Sequence, residues 1–149
     1  MDWIQWTDEW RVLIDFGMAL LIWLVQIIVY PSFLYTSEAD FQRWHYSYTG
    51  RITWFVLPLM FSQLAAYAFL AAVAGRWHDW LGCGLVAICW VTTFLLSVPC
   101  HDKMQRESKD LVVVRKLIRT NWIRTICWSL VFVCDCLAGQ LPIAIVDLQ

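Results

Sequence analysis

Four segments of this chain, residues 12–35, 52–74, 80–100 and 121–146, each hold about the 20 mainly apolar residues that a helix needs to cross a bilayer. Lipid offers no partner to a backbone N–H or C=O, so a spanning segment has to satisfy those groups within itself, which a helix does. Together the four use up most of the 149 residues. Their connections are short, which predicts neighbours running in opposite directions in one bundle. The expected fold is therefore all-α, a single antiparallel four-helix transmembrane domain over residues 1–149. Composition agrees, with 60% of residues apolar and 15% charged, against roughly 45–50% and about 25% in an average soluble protein. A formal net charge of −1 makes no basic field, so no nucleic-acid partner is expected. Eleven Trp, eight Phe and five Tyr suit a chain anchored where lipid meets water, and the bilayer is the first expected partner.

Lys and Arg divide unevenly between the two sides. The connection after the first segment carries Arg43 and Arg51, and the 101–120 connection with the start of the fourth helix carries Lys103, Arg106, Lys109, Arg115, Lys116, Arg119 and Arg124. That makes nine, against Arg11 and Arg76 on the opposite side. Because cytoplasmic loops carry the basic excess, the expectation is a multi-pass protein of the cytoplasmic (inner) membrane with both termini outside the cytoplasm. Asp2, Asp8 and Glu9 stand where a leader peptide would be basic, so the first helix is expected to be retained. Residues 101–120 are expected to form a cytoplasmic loop, polar over 101–110. The run after it reads as helical, with Ser108 as cap and Asp110 at the positive helix end. That run is either an amphipathic segment on the inner leaflet or an early start of helix four.

Polar residues inside the apolar spans are costly, and those that occur usually face the bundle interior. Asp15, Gln26 and Tyr30 point within about 60° of one direction at 100° per residue. Asn121, Arg124, Trp128 and Asp135 share a stripe, as do Trp90, Ser97 and His101, and Gln63 with Tyr67. Gln26, Gln63, Thr92, Thr93 and Ser97 read as interhelical hydrogen-bonding glue. Asp15 is either hydrated near the outer interface or functional. Asp135, roughly 21 Å beyond Asn121, is a carboxyl in the outer half of the membrane that needs a partner or a proton.

Histidine is the natural acid-base group near neutral pH and a natural ligand for haem or a transition metal. His78 lies in the 75–79 turn and reads as a hydrated loop residue. His45, ahead of helix two, and His101, ending helix three, fall at one membrane depth with Arg51 and Arg124. These four either meet inner-leaflet phosphates or share a site. If they share one, the two imidazoles lie close together with Arg124 beside them. The six cysteines show no zinc-finger spacing and read as small packing residues.

Trp23 to Phe33 (WLVQIIVYPSF), the Phe41 to Ile52 stretch, Val98-Pro99-Cys100-His101 and Asn121-Trp122-Ile123-Arg124-Thr125 with Trp128 form one pattern. It resembles a group of small bacterial four-helix membrane proteins related in general shape to the anthrone-oxygenase-like proteins. The resemblance covers most of the chain, and the Asn-Trp-Ile-Arg-Thr run is its most specific piece. It implies histidine at the positions of Tyr30 and Tyr48 beside His45 and His101, and this chain departs from it by carrying tyrosine at both. A looser likeness, in size and helix count alone, is to the bacterial four-helix haem-binding protoporphyrinogen oxidases.

The expected site is accordingly a polar cluster between helices near the cytoplasmic face. His45, His101, Arg124 and Arg51 are its catalytic candidates, and Tyr30, Tyr48, Asn121 and Trp128 its ligand-binding ones. Asp15, Gln26 and Asp135 are further buried polar groups. Its expected work is redox or acid-base chemistry on a hydrophobic molecule such as a quinone, polyketide or porphyrin. One histidine would act as base or axial ligand, with haem or a transition metal as the cofactor if there is one, and the two arginines would hold an anionic group. The rival expectations are a non-catalytic accessory subunit of a larger membrane complex, a pigment- or lipid-binding scaffold, and a small transporter acting as a homo-oligomer.

Overall fold

The apolar segments become four long helices in a computed structural model that describes residues 3–140. They are α1 (Trp3–Ser32), α2 (Glu38–Val73), α3 (Trp77–Glu107) and α4 (Leu111–Gln140). All four are long and apolar enough to cross a membrane, which makes this a multi-pass membrane protein. The expected end of the fourth helix at 146 lies outside the described residues.

The helices are longer than the apolar segments. At 1.5 Å per residue the 36 residues of α2 extend about 54 Å, well beyond the roughly 30 Å of a hydrocarbon core. Three expectations are corrected by that extra length. His45 does not precede its helix but sits two turns inside α2. Residues 101–120 are not a loop, because α3 continues to Glu107 and α4 begins at Leu111, the early start of the fourth helix. His78 is in the first turn of α3 and half-buried, not a free loop residue.

The break at 108–110 is short because it is tightly held. Ser108 reverses the chain with φ +76°, a left-handed conformation uncommon outside glycine. The helix cap is Asp110 in place of Ser108. Its Oδ1 accepts the backbone N–H of Val112 at 2.8 Å and of Val113 at 3.4 Å, and these donors hold the Asp110 carboxyl below its usual range. Lys109 Nζ donates to the carbonyls of Leu34 (3.0 Å) and Thr36 (2.7 Å), clamping this break to the turn between α1 and α2. At the other connection Gly75 takes φ +64° and closes α2 with a bond from its N–H to the Leu70 carbonyl.

Each helix packs on its two chain neighbours, and α4 closes the ring against α1. Side-chain pairings define the two ends of the bundle. Arg11 meets Asp79 and Asp135, and Asp15 meets Tyr67, so the start of α1 lies beside the end of α2, the start of α3 and the later part of α4. At the opposite end Tyr30 and His45 both meet His101. The core between them includes Met18, Ile22, Phe33, Met60 and Leu117, while Trp54, Phe55, Ile27 and Leu95 stand exposed on the outside, as lipid-facing residues do. At one point α2 and α3 touch closely, because a Cβ built at Gly82 would run into the Tyr67 ring.

Candidate functional site: a hydrogen-bond chain beside an apolar cavity

Two prolines shape the site. Proline has no N–H, and its ring crowds the carbonyl four residues back. Ahead of Pro31, α1 widens into a π turn over Val25–Val29, and ahead of Pro99, α3 does the same over Thr93–Ser97. A π turn adds about one residue, so the face beyond it slips by roughly 100°. The slip brings Gln26 and Tyr30 of α1 against α4, and it turns Ser97 and His101, but not Trp90, to the bundle's inner cavity.

Arg124 begins a run of hydrogen bonds whose direction, with both imidazoles neutral, is set at its ends, because a guanidinium can only donate and the Gln105 carbonyl oxygen can only accept. Arg124 Nη2 donates to the Tyr30 hydroxyl at 3.2 Å. The one Tyr30 proton goes to His101 Nε2 at 3.2 Å. His101 then carries its hydrogen on Nδ1 and donates to His45 Nε2 at 2.9 Å. His45 in turn donates from Nδ1 to Gln105 Oε1 at 3.1 Å. Both imidazoles are satisfied in this direction as neutral rings, and all four of their nitrogens are engaged. Among the described residues no group of three His, Cys, Asp or Glu is placed to hold a metal. As it stands, the pair builds a hydrogen-bond chain.

The rest of the Arg124 fork is held by neutral oxygens. Nη1 donates to Thr93 Oγ1 at 3.2 Å, and Nη2 also meets Asn121 Oδ1. Asn121 Nδ2 donates to Gln26 Oε1 at 2.7 Å, and Gln26 Nε2 reaches the Ile118 carbonyl at 3.3 Å. An aromatic cage closes over the histidines. Phe41 stacks on His45 with 5.3 Å between ring centres, and fully buried Phe33 packs edge-on to both Trp44 (5.2 Å) and His45 (5.7 Å).

On its other side the chain borders a cavity of about 260 Å³ between the four helices. Tyr30, His101 and Arg124 form its polar end, Met18, Ile22 and Met60 its apolar wall. Exposed Thr53, Leu57, Phe94 and Val98 flank it, so it opens sideways between α2 and α3. Trp128 lines it too, and donates from Nε1 to Gln63 Oε1 at 2.9 Å. Gln63 Nε2 and the Tyr67 hydroxyl then donate to the two oxygens of fully buried Asp15, at 2.6 and 2.7 Å.

The structure thus brings together Tyr30, His45, His101, Asn121 and Arg124, with Gln26 behind them and Tyr48 and Trp128 in the cavity wall. Arg51 does not join them. Tyr48 and Ile52 take the inward face of α2, and Arg51, about 60° from the one and about 100° from the other, is exposed. Asp15 is fully buried, and with Asp135 it belongs to the other end of the bundle. There buried Arg11 pairs with Asp79 (2.7 Å), Asp135 and Asp8 (3.2 Å), and stands 5.0 Å from the Tyr67 ring centre. Arg76 adds bonds to Asp8 (2.7 Å) and Asp79 (2.8 Å), which raise its pKa above the usual value. Sequence reasoning passed over Arg11, although it lies one turn from Asp15 on the same face. It passed over Gln105 because α3 was expected to stop at residue 100.

Tyr30→Phe removes the hydroxyl that joins Arg124 to His101 and leaves two buried groups without that partner, at a cost of about 1–3 kcal/mol. Tyr48→Phe should cost less than about 0.5 kcal/mol, since the Tyr48 hydroxyl makes no hydrogen bond among the described residues. Denaturant unfolding of the two variants in one detergent checks the difference. Equal losses would show that the Tyr30 hydroxyl carries no part of the chain.

Compared with protein-family models, curated proteins and solved structures, the chain matches none of them.

Proposed function

We propose that this protein admits a hydrophobic ring molecule from the lipid phase into the cavity and exchanges protons with it through Tyr30, His101 and His45. The observation that carries this reading is the one-way run from Arg124 through Tyr30, His101 and His45 to Gln105, with its first members in the cavity wall. A ligand hydroxyl or acidic C–H resting there is within reach of two groups able to take or give a proton. His45 and Gln105 extend the path from the cavity toward the end of α3.

For orientation, the nine-to-two division of Lys and Arg supports a cytoplasmic His45 end, with both termini outside the cytoplasm and the protein in the inner membrane. A cysteine introduced at Ser108 should then resist an impermeant thiol reagent in intact cells and react after lysis. Labelling in intact cells would reverse the orientation.

The cavity reading is tested with 1,4-naphthoquinone as probe on the detergent-purified protein. A ligand at 100 times its Kd stabilises by about 2.7 kcal/mol, so the unfolding midpoint should rise by several degrees. Val56→Trp, which fills the cavity, should abolish the rise. With 4-nitrophenol at a pH below its own ionisation, where the free phenol is nearly colourless, wild-type protein should develop the yellow of the ionised form and His101→Ala should not. No response to either probe would leave the accessory-subunit reading in its place.

A further inference from the structure

We infer that the molecule taken by this cavity is an anion, an apolar ring or chain whose single negative oxygen rests on the Arg124 guanidinium. The inference builds on the ligand-binding reading above and names the class of ligand. Arg124 is only 6% exposed, yet it forms no ion pair among the described residues. Its partners are a threonine hydroxyl, a tyrosine hydroxyl and an asparagine carbonyl, all neutral. Asp102 is the one carboxylate in the cavity wall, and it stands exposed with its charge on Arg106, 3.4 Å away.

Arg11 shows how the same fold treats a buried cation that belongs to its own structure. Three carboxylates, Asp8, Asp79 and Asp135, surround it. A buried charge is costly unless paired; Arg11 and Arg124 each border a cavity, and only Arg124 is left there without a counter-charge among the described residues. The Nε of both arginines is without a hydrogen-bond partner among the described residues, so the carboxylates alone set the two apart. One oxygen anion entering from the cavity supplies what is missing. Size narrows the class further. A cavity of about 150 Å³ holds benzene, so about 260 Å³ suits one or two fused rings and is too small for a porphyrin.

The test compares probes of matched shape. 2-Hydroxy-1,4-naphthoquinone is ionised at neutral pH, and 1,4-naphthoquinone is not. Decanoate and decanol make the corresponding acyl pair. Wild-type protein should bind at least one of the anions ten times or more tighter than its neutral analogue, and the pair that shows the preference tells a ring ligand from an acyl chain. Arg124→Lys should keep part of the preference and Arg124→Gln should lose it. In wild type alone, affinity for the hydroxyquinone should fall as pH is lowered through the probe's own ionisation, an arm that no misfolded variant can obscure. Equal binding of anion and neutral analogue, or a preference that survives Arg124→Gln, overturns the inference while leaving the cavity reading intact. Binding of no probe removes the cavity reading as well.

Discussion

Arg11→Leu should lower stability by about 3–5 kcal/mol, the loss expected when one partner of a buried ion pair is removed and the other is left charged and alone. The expectation is firm here because the arginine holds several elements at once. It joins Asp79 at the start of α3 to Asp135 late in α4, and the Tyr67 ring of α2 packs against it. Without it, Asp79 keeps Arg76, but Asp135 keeps no cation among the described residues. Pairing the change with Asp135→Leu should recover part of the loss, because the double variant buries no orphaned carboxylate on α4. For the same reason Asp135→Asn should be tolerated far better than Asp135→Lys, which would set two cations side by side. Unfolding in mixed micelles measures all four variants. A loss below about 1 kcal/mol for Arg11→Leu would mean that water reaches the cluster and screens it.

The contrast between the two ends of the bundle was only partly legible in the sequence. The four spans could be read because twenty apolar residues in a row have few other uses. Their extensions were not read, because charged and polar residues dilute the first turns of α2 and the last of α3, although Phe41, Trp44, Tyr48 and Ile52 do recur at helical spacing. His45 and Gln105 both lie on such extensions, so the depth shared by His45 and His101 was readable, and the Gln105 link was not. The π turns were equally hidden. The face drawn through Trp90, Ser97 and His101 assumed 3.6 residues per turn throughout, and the wide turn at Thr93–Ser97 takes Trp90 off it. Arg51 was grouped with the histidines by membrane depth, and depth does not fix which way a side chain points around its helix. Asp135 was read as needing a partner or a proton, and Arg11, which meets it, was counted only among the charges of the outer side. A basic residue one turn before a buried carboxyl, on the same face, was the signal for Arg11.

Phe33→Ala should cost about 3–5 kcal/mol, as large as a phenylalanine truncation in a tight core, although Phe33 lies in the turn after α1. Turn residues are usually surface residues, and this one is 0% exposed. Its ring meets Tyr30 at 5.5 Å, Phe41 at 5.9 Å and Tyr48 at 5.6 Å, besides Trp44 and His45. Edge-to-face contacts of this kind add to what buried area alone provides. The turn has little freedom to close the resulting void, because Lys109 fixes the carbonyls of Leu34 and Thr36 right after it. Phe33→Leu should recover about half the loss by filling the space without the aromatic edges. The functional consequence is separable from stability. Phe33 donates to no member of the hydrogen-bond chain, yet it packs on Tyr30, His45 and His101 together. Its removal should therefore weaken the yellow nitrophenolate signal even at temperatures where the variant stays folded. A folded Phe33→Ala protein with the full signal would show that hydrogen bonds alone align the two histidines, and that the aromatic cage serves stability only.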